Sequence, residues 1–123
     1  MAKNEIIFYR NEQNKCPMLD FLNSLDKKMR SNVVRMVDLL RDSGSELREP
    51  YSKALSDGIF ELRIKAGSNI SRVLYFFVVG NKIILTNGFI KKTQKTPSAE
   101  IAKAKRYRRD YLSRIQNDER KEN

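Results

Sequence analysis

After Pro50 the apolar residues first repeat at every second position, a spacing that no helix can bury on one face. In GIFELRIK, Gly58 to Lys65, the side chains of Phe60, Leu62 and Ile64 alternate with Glu61, Arg63 and Lys65. That pattern predicts a half-buried strand with a charged outer face. Ala66 to Asn69 supplies a turn. Ile70 to Val79 is nearly continuous in apolar and aromatic residues, as expected of a central strand. Gly80-Asn81 makes a tight turn into a further strand, Lys82 to Ile90. Three strands joined this way form an antiparallel meander, and the rest of the chain must cover it.

Before Pro50 the period is helical. EIIFYR, Glu5 to Arg10, reads as a short strand. Pro17 suits the first turn of a helix whose apolar face is Met18, Leu19, Phe21, Leu22 and Leu25. Asp26 is an N-cap residue for a second helix, in which Met29, Val33, Met36, Val37 and Leu40 recur at helical spacing until Ser43-Gly44. Pro97-Ser98 starts a final helix, with Ile101, Ala104, Leu112 and Ile115 as its buried stripe. A strand and helical hairpin followed by a meander and a helix is an α+β domain. The expectation is one domain over residues 1–115, with a polar, flexible tail over 116–123. The helices are expected on one face of the sheet, leaving free the face that carries Glu61, Arg63 and Lys65.

A chain of 123 residues, 40% of them hydrophobic, suits one core. Its longest uncharged apolar run, VLYFFVVG, is too short to span a membrane, and MAKNEIIFYR has no signal-peptide core, so a cytoplasmic location is expected. Cys16 is the only cysteine and there is no histidine, which argues against a disulfide, a zinc site and an activated thiol. No Gly-rich phosphate loop is present, and no cofactor is implied. Lys and Arg outnumber Asp and Glu by nine to eight in residues 1–49 and by sixteen to seven in residues 50–123. The excess charge therefore sits in the second half, which favours a polyanionic partner, most simply nucleic acid.

The meander ends in FIKKTQKTP, a cationic hook. In an antiparallel meander the end of the first strand, the start of the second and the end of the third meet at one end of the sheet. Arg63, Arg72, Lys91 and Lys92 should converge there, with Glu61 beside them. Clustered cations repel unless an anion joins them, and a nucleic-acid phosphate is the natural one. RNA can be cut without metal when the 2′-hydroxyl attacks the adjacent phosphate, given a base for its proton and an acid for the leaving 5′-oxygen. Blander readings stand beside this one. Glu61 and Arg63 can form an ordinary surface ion pair. Lys91 and Lys92 can simply guard an edge strand. Tyr75 reads as a packing residue, and Tyr107 and Tyr111 can either pack or stack on bases among the cations of the last helix.

In this order, KALSDGIFELRIK, NISRVLYFFVVGNKIILTNGFIKKTQKTP and EIAKAKRYRRDYL resemble the RelE/ParE toxin superfamily, and more narrowly its HigB-like, phage-derived branch. The resemblance covers about residues 4–115. It implies a RelE-like fold, an N-terminal strand and helical hairpin packed on an antiparallel sheet with a C-terminal helix. It implies the toxin of a type II toxin–antitoxin system, an endoribonuclease (mRNA interferase) that enters the ribosomal A site, cleaves mRNA without metal and inhibits translation. The implied partners are a cognate antitoxin, commonly a helix-turn-helix protein, and the 30S ribosome with its mRNA, with no membrane. Arg72 matches the family's central-strand arginine, Arg63 the basic position before it, and Lys91 and Lys92 the basic pair after the last strand. The chain departs from the family by having no tyrosine after that pair and no histidine. Its candidate catalytic set is therefore Glu61 as base, Lys92 as acid, Arg63 and Arg72 on the phosphate, and Lys91. Lys53, Lys65, Lys95, Arg106 and Arg109 are the candidate RNA-binding cations. The alternatives are a non-catalytic inhibitor of a protein target such as DNA gyrase, as in the ParE branch, and a nucleic-acid-binding protein with no catalysis.

Overall fold

A computed structural model describes residues 4–92 and 95–122. A four-residue strand, β1 (Glu5–Phe8), leads into helices α1 (Pro17–Ser24) and α2 (Lys27–Ser43). The strands β2 (Ser52–Ser56), β3 (Ile59–Ala66), β4 (Asn69–Val78) and β5 (Lys82–Ile90) follow, and helix α3 (Ser98–Glu122) closes the chain. The sheet order is β1-β5-β4-β3-β2, with β1 parallel to β5 and every other pair antiparallel. This is the expected α+β architecture of a helical hairpin, a mostly antiparallel sheet and a C-terminal helix.

Local chemistry accounts for the hairpin. Pro17 occupies the first turn of α1, where its missing N–H costs nothing. Asp26 caps α2, its Oδ1 accepting the Met29 N–H at 2.8 Å. The two helices place Met18, Phe21, Leu25, Met29, Val33, Val37 and Leu40 against Leu62, Ile64, Val73, Tyr75, Ile83 and Leu85 on one face of the sheet. Contact there is close enough to need a glycine. A Cβ on Gly88 of β5 would fall deep inside van der Waals distance of the Phe21 ring.

The other face is not free, contrary to the expectation from sequence. Helix α3 crosses it, and Tyr9, Ile59, Leu74, Phe76 and Ile84 bury against Ala104, Tyr107 and Tyr111. The run Ile70–Val79 is apolar at both alternating sets of positions, so both faces of β4 need cover. The tyrosines take the place expected for Leu112, which is 40% exposed. Tyr107 stacks on Tyr9 at 4.8 Å, and Tyr111 meets Phe76 edge-on, so both rings pack rather than wait for bases. Tyr9 also donates to Asp110 Oδ2 at 2.6 Å, and burial with this bond pushes its hydroxyl up to about 12. Residues 116–122, expected as a flexible tail, continue α3, because no Gly or Pro interrupts the chain after Pro97.

Strand β2 was not expected. Its sequence SKALS has no apolar alternation, because it is an edge strand with Lys53 and Ala54 exposed and a register break between Ala54 and Ser56. Its one buried anchor is Ser52, whose hydroxyl is hydrogen-bonded to Tyr75 Oη.

The packing of Phe21 on Gly88 makes a first prediction. Gly88→Ala forces α1 away from β5 and is expected to lower stability by about 1–3 kcal/mol, the usual cost of overpacking. Chemical denaturation measures it, and a loss below about 0.5 kcal/mol would mean that the ring moves aside freely.

Candidate phosphate-binding site

Glu61 is central to the site and is 2% exposed. Leu74 faces it across β4, and the same face carries Arg63, whose direct cross-strand partner is Arg72. The two guanidiniums therefore sit side by side on adjacent strands and flank one carboxylate. Arg63 Nε donates to Glu61 Oε2 at 3.1 Å. Arg72 Nε lies 3.5 Å from Glu61 Oε1, and the Thr96 hydroxyl donates to that same oxygen. Both carboxylate oxygens are thus engaged. A charge this deeply buried is tolerable only with such partners.

Arg72 is also buried, at 5% exposure. Its Nη1 donates to the Ser71 carbonyl at 3.2 Å, while its buried Nε lacks a hydrogen bond of good geometry. Burial pushes its guanidinium down from the ordinary arginine value, the Glu61 carboxylate pulls it back up, and Arg63 pushes it down further. Arg63 is more open, and its Nη1 reaches Glu49 Oε2 at 3.8 Å.

The hook comes into the same place. The Lys91 N–H donates to the Ile70 carbonyl at 2.8 Å, one step beyond the end of β5. This fixes Lys91 at the end of the sheet that holds Arg72 and Arg63. Burial first, and then Arg72, Arg63 and Lys53, hold the Lys91 ammonium below its ordinary value, with Glu61 opposing. Lys53 lies on β2 directly across from Glu61. A cavity of about 230 Å³ is lined by Lys53, Glu61, Arg63, Lys95 and Thr96, with Ile101 of α3 at its wall.

The structure brings together Glu61, Arg63, Arg72, Lys91, Lys53 and Lys95. It places Lys65 exposed, two residues beyond Arg63 on the same face of β3, and Lys92 exposed beyond Lys91. Arg106 and Arg109 are exposed on α3, about one and a half to more than two turns beyond Ile101. The surface pairing considered for Glu61 and Arg63 does form, but with the carboxylate buried. Thr96 and Glu49 were missed by sequence reasoning. Thr96 lies in the hook, and nothing in KTQKTP marks one of its hydroxyls for a strand thirty-five residues away.

One carboxylate among three or more cations is an anion-binding arrangement. Such a set can hold a phosphate, stabilise charge building on its oxygens and supply an ammonium proton nearby. Among the described residues no group of three or more His, Cys, Asp or Glu side chains is placed to hold a metal ion. No helix among them is long and apolar enough to cross a membrane.

Glu61→Leu is expected to cost about 3–5 kcal/mol, because it leaves Arg72 as an uncompensated buried charge. Adding Arg72→Met should recover part of that loss. Urea denaturation of the three proteins checks both statements, and a Glu61→Leu protein as stable as the wild type would show that the carboxylate does not anchor the pair.

The chain matches the family model described as phage derived protein Gp49-like (DUF891) over residues 20–109, which takes in the end of α1, all of α2, β2 to β5, the hook and the first half of α3. No curated protein matches it.

Proposed function

The chain belongs to the Gp49-like phage-derived family, which is toxin-like, and from that premise we propose that it is the toxin of a type II toxin–antitoxin system of the HigB-like branch, a ribosome-dependent endoribonuclease. The observation that carries this reading is the pair of guanidiniums joined by one buried carboxylate beside Lys91. Its working place is the cytoplasm, on mRNA in the A site of the 30S subunit, and its restraint is a cognate antitoxin.

Arg72 and Arg63 bind the scissile phosphate and take up the charge that grows on its oxygens. The 2′-oxygen attacks phosphorus, the bond to the 5′-oxygen breaks, and a 2′,3′-cyclic phosphate forms. The proton of the 2′-hydroxyl passes to solvent water. Lys91, whose ammonium is held below the ordinary lysine range and is therefore a stronger acid, gives its proton to the departing 5′-oxygen. Glu61 has a different role from the base expected from sequence. With Arg63, Arg72 and Thr96 on its oxygens it is a positioning residue that sets the guanidiniums. Lys91 replaces Lys92 as the acid because it lines the same crevice as the guanidiniums. Lys53, Lys65, Lys92 and Lys95 add the cationic field that holds the RNA backbone, and Arg106 and Arg109 extend it along α3.

Primer extension on a defined mRNA, with and without ribosomes, tests the reading. The wild type should cut only with ribosomes, and Arg72→Ala should cut about 100- to 1,000-fold more slowly, the usual loss for one such donor. Growth arrest in cells without cuts would overturn the nuclease reading and favour inhibition of a protein target such as gyrase.

The pH profile tests the acid. Lys91 works protonated, so the rate should fall as pH rises through its value, at a midpoint below the ordinary 10.5. Lys91→Ala should be slow and lack that alkaline fall. A fall unchanged in Lys91→Ala would assign the proton to another group.

A further inference from the structure

Strand β2 begins at Ser52, opposite Leu62, so the outer edge of β3 from Arg63 to Ala66 has no strand beside it. Two groups take up its backbone instead. The Arg63 N–H donates to the Tyr51 carbonyl at 2.8 Å, and Asn32 Nδ2 of α2 donates to the Lys65 carbonyl at 2.8 Å. Between them lies a crevice of about 490 Å³. Its outer walls are Tyr51 and, from α2, Met36 and Arg35, and Ile70 lies along it. Its other end is formed by Arg63, Arg72 and Lys91, the cations of the phosphate site.

The two ends differ in chemistry, and that difference names a ligand. A bare phosphate would need only the cationic end. The other end offers a Tyr51 ring that is 48% exposed, beside the apolar side chains of Met36 and Ile70. Such a ring offers an apolar face and a polar tip, the combination enriched at binding interfaces. A flat aromatic face in one crevice with a phosphate clamp fits a nucleotide, whose base stacks while its phosphate is held. Asn32, anchored through Nδ2, keeps a carbonyl oxygen able to accept from a base N–H. The volume lies within the range of small-ligand sites and exceeds what a base alone requires.

We propose that this crevice is a nucleobase subsite for single-stranded RNA, in which the base next to the clamped phosphate stacks on Tyr51. It rests on the reading of Arg63, Arg72 and Lys91 as a phosphate site, and it adds a position at which the protein reads the base. Arg35, exposed on α2 across from Tyr51, supplies a cation for the neighbouring phosphate.

The test is direct binding of a labelled tetraribonucleotide, made uncleavable by a 2′-deoxy sugar before the scissile bond, with each position made abasic in turn. Wild-type affinity should drop about 5- to 100-fold when one particular base is removed, the range that base–aromatic stacking covers. Tyr51→Ala should lose that same factor on the intact oligonucleotide and should be indifferent to the abasic change, while Tyr51→Phe keeps both. Arg35→Glu should weaken binding without changing which base matters. The subsite is overturned if Tyr51→Ala binds as tightly as the wild type, if it loses the same factor on intact and abasic strands, or if the wild type binds no tetranucleotide. Cleavage plays no part in this assay. A protein that binds in this way but never cuts mRNA would keep the subsite and lose the nuclease reading.

Discussion

The site depends on a single buried carboxylate. Glu61 is 2% exposed, a carboxylate so buried needs partners for both oxygens, and it finds them in three parts of the chain. Arg63 comes from the same strand, Arg72 from the next, and Thr96 from the hook. The carboxylate therefore holds two cations side by side that would otherwise repel, and ties the segment after β5 back onto β3. Removing either sign leaves the other buried and alone, which is why stability and site geometry are coupled here.

The two faces of the sheet divide the work. Helices α1 and α2 cover one face with an ordinary aliphatic core, packed closely enough that Gly88 has no room for a methyl group. On the second face α3 covers Ile59, Leu74, Phe76 and Ile84 but starts only at Ser98, so the end that carries Arg63, Arg72 and Lys91 stays open. Coverage at one end and openness at the other place Glu61 and Arg72 under cover and leave Arg63 and Lys91 partly exposed. Arg114 and Asp110 strengthen the closed end. Arg114 pairs with Asp110 at 2.9 Å, and its guanidinium lies over the Tyr9 ring.

The cationic hook acquires its sense in this setting. A strand that ends in Lys91 and Lys92 could be a guard against edge pairing, but β5 is an inner strand between β1 and β4. The lysines follow it to the open end of the second face, where Lys91 is held by the Ile70 carbonyl and faces Arg72. The asymmetry of charge along the chain thus becomes an asymmetry in space. The meander and its hook carry the cationic cluster, and the hairpin serves mainly as the opposite layer of the core.

The sequence by itself determined the elements. Alternation in GIFELRIK, the apolar run after it and the Gly80-Asn81 turn define the meander, and Pro17, Asp26 and the spacing from Met29 to Leu40 define the hairpin, because these signals are local. The convergence of Arg63, Arg72 and Lys91 was also legible, since antiparallel topology alone requires it. Tertiary structure decided what burial decides. Strand β2 has no pattern of its own because an edge needs none. Tyr107 and Tyr111 became core because α3 crosses the second face, which no spacing within α3 announces. Glu61, expected on an open face, is buried for the same reason. A strand pattern says which residues share a face, but only the packed chain says what covers that face and how far along it the cover extends.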